Sequence, residues 1–437
     1  MSRALSRRSA LGAISMPIAA GAAAALLPTR TVSGAELSRR LSGYAADPER
    51  AARDEDLWRE VQQAFTQDRS IINFNNGGVS PAPRVAQDAM KRHLDLCNSM
   101  PPPHVLWQIA PKQREAIRSR LAHHWGVDAE EIAITRNSSE SLQICQFGLD
   151  LKPGDEVLTT DQDYPRMINT FKQRQAREGI KLVEFPVPTP LSDPAELVRR
   201  FAEHITPRTK MILCCHMINL TGQILPIREI AALGRRHGIP VVVDGAHALA
   251  HFPFKLSDLG VEYYGTSLHK WLFAPHGTGL LYVKRDRIAD LWPLMAAGEN
   301  QRDDIRKFEE IGTHPAANFL AIAEAMTFHE AIGDERKAAR MRYLRDRWMD
   351  RLGAHRSGRV RFNTDRRHAC GIANFAVEGL DAGDLRNWLW NEHRILTVAI
   401  GHADCTGIRV SPSVYSTIQE VDRFCDAVEH AIERGVA

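Results

Sequence analysis

The chain has 437 residues, 44% of them hydrophobic and 25% charged, with 56 basic and 53 acidic side chains and a formal net charge of +3. At about 150 residues per domain this length predicts two or three domains, each able to bury its own core. The near-balance of charge excludes a nucleic-acid binder, which concentrates basic charge, and the composition excludes a disordered chain, a collagen and a disulfide-dense mini-scaffold.

The charge is unevenly spread. Residues 1–35 hold Arg3, Arg7, Arg8 and Arg30 but no lysine or acid, and an Ala/Gly/Leu-rich stretch from Ala10 to Leu27 precedes Ser33-Gly34-Ala35. A basic start, an apolar middle and small residues at the end make a signal peptide over 1–35, cleaved near Ala35. The run S-R-R-S-A-L-G around Arg7-Arg8 resembles a twin-arginine signal, although Ala10 stands where such signals carry a bulkier apolar residue. A membrane anchor is the alternative, but the stretch is barely long enough to span and contains Gly12, Pro17 and Gly21. Setting those four arginines aside leaves 52 basic against 53 acidic residues. The expectation is a periplasmic or secreted protein, delivered by the twin-arginine translocation machinery and without a stable membrane anchor. Its seven cysteines are odd in number and lack a C-x-x-C pair, which indicates neither a zinc site nor a disulfide framework. Cys214-Cys215, inside an apolar run, read as small buried hydrophobes. Folding in a reducing compartment before export accommodates them.

Residues 36–79 form an N-terminal segment, with a helix expected over Asp54 to Phe65, a short strand at Ile71 to Phe74 and turn chemistry at Asn75-Asn76-Gly77-Gly78. Pro81 and Pro83 lead into a helix ending near Leu96. Strand-like apolar runs then alternate with helices: Glu131 to Thr135, Glu156 to Thr159, Lys181 to Phe185, Lys210 to Cys215, Pro240 to Asp244 and Gly279 to Lys284, with helices such as Ser138 to Leu149 and Ile227 to His237 between them. That alternation predicts an α/β domain over 80–324. From Phe319 to Leu352 the pattern is helical. Strands near Val360 to Phe362, Gly371 to Val377 and Gly407 to Val410 then predict a smaller α+β domain over 325–437, on which the N-terminal segment packs.

Three elements carry chemistry. Lys270 lies in G-T-S-L-H-K-W-L-F-A-P-H-G-T-G, flanked by Leu268, Trp271, Leu272 and Phe273. Desolvation there disfavours the ammonium and leaves an amine able to form a Schiff base. Asp244 closes the run Pro240 to Asp244, at the carboxyl edge where α/β sheets place ligands; capping the following helix is its alternative role. Twenty-six residues before Lys270, it has the chemistry to hold the ring nitrogen of pyridoxal phosphate protonated. Ser138 and Ser139, in T-R-N-S-S-E, sit where a strand turns into a helix and offer hydroxyls and N–H groups to a phosphate, or simply an N-cap. His247 and His251 form H-x-x-x-H with no third ligand at a suitable spacing, so no metal is expected.

On H-K-W-L-F-A-P-H-G-T-G, N-N-G-G-V-S-P-A-P and the order of these motifs over roughly 70 to 425, the chain resembles the class V aminotransferases, fold-type I pyridoxal-phosphate enzymes, and most of all their isopenicillin N epimerase-like branch. The resemblance implies a large domain with a mostly parallel seven-stranded sheet between helices, plus a smaller α+β C-terminal domain. It implies that Lys270 holds the cofactor and shuttles protons, that Asp244 pairs with the pyridinium, and that His247 and Asn219 approach the phenolic oxygen. Tyr164 would stack on the ring, and Ser138, Ser139, Ser267 and His269 would bind the phosphate. Thr313, in E-I-G-T, would reach the phosphate of a partner subunit, implying a homodimer with shared sites. Asn76 and Arg409 would contact the substrate, the arginine by clamping its carboxylate.

The reaction implied is transamination or epimerisation of an amino acid or peptidyl amino acid, with C–S lyase or cysteine desulfurase-like activity as the alternative and a non-catalytic binding protein as a second. G-H-A-D-C, ending at Cys405, departs from the G-H-H-C of desulfurases and lies only four residues before Arg409.

Overall fold

The structure is a computed structural model describing residues 34–436, so the signal-peptide reading over residues 1–35 lies, but for its last two residues, outside the described residues. The apolar runs read from the sequence become one seven-stranded sheet. Its order across the sheet is Ile132–Thr135, Gly279–Val283, Tyr263–Ser267, Val241–Asp244, Thr209–Cys215, Glu156–Thr160 and Lys181–Phe185. Gly279–Val283 pairs antiparallel with both neighbours and every other pairing is parallel.

The alternation of side chains along a strand explains why these runs are apolar throughout. Val241, Val243, Ile212, Cys214 and Leu280 face one hydrophobic core. Val242, Met211, Leu213 and Leu281 face another on the opposite side of the sheet. Helices including Ser138–Gly148, Pro165–Glu178 and Ile227–His237 supply the covering layers.

A four-stranded antiparallel sheet, ordered Val398–Ile400, Gly407–Val410, Ala373–Val377 and Val360–Phe362, packs its own core around Trp348, Phe375 and Phe424. The fold is therefore that of a fold-type I enzyme, a large mostly parallel sheet with flanking helices and a smaller antiparallel C-terminal sheet. Near the N-terminus the short strand Ile72–Asn73 pairs in parallel with Ile395–Leu396, while Leu37, Trp58 and Phe65 enter the same core as Trp271 and Phe273. Among the described residues no helix is long and apolar enough to cross a membrane.

Candidate active site

The strands Ile132–Thr135, Glu156–Thr160, Thr209–Cys215, Val241–Asp244 and Tyr263–Ser267 run the same way, so their C-terminal ends share one edge of the sheet. A cavity of about 410 Å³ opens there. It gathers residues far apart in the sequence because all but Gly78 follow, or end, one of those strands.

One wall is an anion cradle. Asn137 is the N-cap of Ser138–Gly148, its side chain accepting from the Glu140 N–H, which frees both serines from capping. The Ser138 N–H donates to Ser267 Oγ at 2.9 Å, and the Ser267 hydroxyl reaches Ser138 Oγ at 2.9 Å. First-turn N–H groups lack partners within their own helix and carry the positive end of its dipole. His269 lines the cavity beside them, its Nδ1 3.1 Å from the Thr278 carbonyl. Burial first, then the charge of Lys270, pulls this ring to about 4. At neutral pH its Nδ1–H is therefore spent on that carbonyl, and donation from Nε2 to an anion requires the ring to take up a proton.

Gly279 makes the cradle possible. A Cβ there would lie 2.7 Å from the backbone N, Cα and C of Asn137. Gly279→Ala is expected to destabilise the protein by about 1–3 kcal/mol and to weaken binding of inorganic phosphate, as read by thermal melting and a phosphate titration.

The opposite wall is built around Lys270. Its Nζ lies 3.1 Å from His247 Nε2, and burial pulls the ammonium down to about 8 against the opposing pull of Asp244. Asp244 receives one backbone N–H, from Ala246 at 2.9 Å, and burial pushes it up to about 6. The Nδ1 of His247 and the Oδ1 of Asn219 are buried without a hydrogen-bond partner. A lightly satisfied carboxylate, two orphaned polar atoms and an anion cradle around one amine form a cavity that lacks its ligand's polar groups, not a finished core.

The lysine's neighbours are fixed. Trp271 stacks on His251 with ring centroids 3.8 Å apart, and the two ring nitrogens of His251 engage the His247 carbonyl and the Gly371 N–H. The buried Lys337 ammonium donates to the Trp271 carbonyl and sits 4.0 Å from the Phe273 ring. Phe273 itself has a left-handed φ of 62°, a strained position for a bulky residue that such contacts must hold.

Tyr164, N-cap of Pro165–Glu178, lines the cavity, and so does Arg166 two residues on, which the sequence did not mark. Arg409 does not line this cavity; it is buried, bonded to the Asn219 carbonyl at 2.9 Å and to Asn75 Oδ1 at 2.8 Å, and among the described residues no acid contacts it.

One assignment requires correction. Asn76 is buried away from the cavity: its amide nitrogen serves the carbonyls of Asn73 and Ser411, and its oxygen accepts from Tyr415 at 2.6 Å. Its neighbour Asn75 meets Arg409 instead. Thr313 does not join the cavity of its own chain; it lines a separate surface hollow with the exposed Trp107 and with Arg114. Cys215 is not merely a core hydrophobe: it lines the cavity and its Sγ–H donates to the buried Asp163 at 3.0 Å.

With this geometry in place, similarity to known proteins is informative. The family model for class-V aminotransferases matches residues 72–424. The chain is 30% identical over 393 residues to isopenicillin N epimerase of Streptomyces clavuligerus, covering 85% of this chain and 98% of that one. It is 29% identical to a cysteine desulfurase of Haloferax volcanii, covering 83% and 90%. Among solved structures the cystine C–S lyase C-DES, in a mutant with glycine covalently linked to its pyridoxal-phosphate cofactor, superposes with a TM-score of 0.75 at 26% identity, covering 84% of this chain and 98% of that one.

Proposed function

We infer the chemistry from one premise: this chain belongs to the class-V aminotransferase family, and it is a pyridoxal-phosphate enzyme. The residues present fit that group. Ser138, Ser139 and Ser267, at a helix N-terminus, suit its phosphate; Asp244 suits its ring nitrogen; the orphaned His247 Nδ1 and Asn219 Oδ1 mark polar positions still to be filled; Tyr164 would cover the ring; Lys270 would hold it. When bound, the cofactor supplies an electron sink that acidifies the substrate's α-carbon.

We propose that the enzyme acts by proton transfer at that α-carbon, by transamination or epimerisation of an amino acid or peptidyl amino acid. The observation that carries this is Lys270: an amine held near neutral pKa, 3.1 Å from an imidazole, is matched to taking and returning a proton. A desulfurase additionally needs a reactive thiol. Cys405 is buried outside the cavity, and burial pushes it up to about 12. Cys215, which does line the cavity, is held protonated by burial and by Asp163 and Asp244. C–S lysis, which needs no such cysteine, is the second reading, supported by the likeness to C-DES.

Incubating the loaded enzyme with candidate amino acids in heavy water sorts these outcomes. Deuterium at the α-carbon with inversion identifies epimerisation, a keto acid formed without release of ammonia identifies transamination, and cysteine persulfide formed from cystine together with pyruvate and ammonia identifies the lyase. No exchange with any amino acid overturns the proton-transfer reading.

We further propose export by the twin-arginine route, supported by Arg7-Arg8 and the apolar stretch that follows them. We also propose a homodimer, supported by the position of Thr313 in an outward hollow beside Trp107, outside the cavity of its own chain.

A further inference from the structure

Among the described residues the guanidinium of Arg166 has neither an ion pair nor a hydrogen bond. Exposed arginines such as Arg199 and Arg356 find carboxylates, whereas this one, which lines the cavity, does not. Its place adds to the cost. Arg166 lies in the first turn of Pro165–Glu178, where no acid offsets the positive end of the helix dipole, and a cation there is unfavourable. Arg409 adds a second guanidinium without an acid partner, within electrostatic reach of the Tyr164 phenol. Only one carboxylate lines this cavity, Asp244, and the cofactor's ring claims it. The cavity therefore has one guanidinium without an acid in its lining, Arg166 at a helix N-terminus, and a second, Arg409, beside it against Asn219.

We propose that the substrate is an amino acid, free or peptide-borne, carrying two carboxylates, with the α-carboxylate on Arg409 and a distal carboxylate on Arg166. This rests on the pyridoxal-phosphate reading above for the orientation of the α-carbon. Arg166 sets specificity and Arg409 sets orientation, each through the planar fork that matches a carboxylate. The exposure of Arg166 lets the distal group lie at the mouth of the cavity, so the rest of a longer substrate can remain outside.

Non-reacting acids test this on the full-length, cofactor-loaded protein. Succinate, glutarate and adipate are titrated against butyrate at constant ionic strength, by calorimetry and by perturbation of the visible band. At least one dicarboxylate is expected to bind about tenfold tighter than butyrate. Arg166→Gln should erase that preference while leaving butyrate binding unchanged, whereas Arg409→Gln should weaken both. Equal affinity for the mono- and dicarboxylates, or a preference that survives Arg166→Gln, overturns the proposal. A protein that stays colourless with added cofactor sinks the pyridoxal-phosphate reading instead, and the calorimetric comparison still decides the role of Arg166.

Discussion

After loading with pyridoxal phosphate, borohydride reduction and desalting under denaturing conditions, Lys270→Ala protein carries no cofactor on the chain, while the wild-type chain retains it through a stable secondary amine. Turnover of any substrate falls by about 10²–10⁴-fold or more, because the group that both holds the cofactor and moves the proton is gone. The fold is expected to survive. Lys270 makes no ion pair, and its charge is disfavoured by burial, so its removal leaves no acid in contact without a partner. Circular dichroism and melting temperature therefore serve as controls. Cofactor fixed by borohydride to folded Lys270→Ala protein would transfer the role to another amine, and the other buried lysines, Lys307 and Lys337, are committed to backbone carbonyls.

Asp244→Asn separates stability from function. In the cofactor-free protein burial raises Asp244 from its usual 3.8 to about 6. Between those values the folded chain binds a proton that the unfolded chain has released, so stability falls as pH rises through that window and remains lower above it. Two pKa units correspond to about 3 kcal/mol. Asparagine has no charge to bury and can still accept the Ala246 N–H. Cofactor-free Asp244→Asn protein is thus expected to exceed wild type in urea stability by about 3 kcal/mol at neutral pH, with the difference vanishing near pH 4. With the cofactor added the ranking narrows or reverses, because a cationic ring nitrogen stabilises the carboxylate and not the amide, and activity is lost. Equal denaturation midpoints at neutral pH without cofactor would show that the buried carboxylate is not strained. The site would then be a case of function held at the expense of stability in name only.

Much of this was legible before the structure. Pro240-Val-Val-Val-Asp244 reads as a strand because a continuous apolar run of that length fits only a sheet buried on both faces, and an acid closing it has to emerge at the edge. The glycines around Lys270 signal a loop, and aromatic and aliphatic neighbours signal its burial. What stayed hidden depends on contacts across the chain. Asn75 and Asn76 are adjacent and chemically identical, and only the pairing of Ile72–Asn73 with Ile395–Leu396 decides which one turns toward Arg409. Arg166 looks like any solvent-exposed helix charge until the absence of a neighbouring carboxylate is seen. Cys215 differs from Cys214 by one strand position, which puts one thiol in the core and the other on the cavity wall.

The hydrogen bond between Asn75 and Arg409 spans 334 positions of sequence. On a ribosome moving at about 5–20 residues per second, the first partner waits tens of seconds for the second. The parallel sheet with its serine cradle is complete once Val283 has emerged, but the guanidinium end is not. A nascent chain can therefore hold the phosphate-binding half-site and Arg166 well before it has Arg409 to orient an α-carboxylate. Orientation of the substrate is the last property this polypeptide gains as it is made, and one that truncation from its C-terminal end would remove.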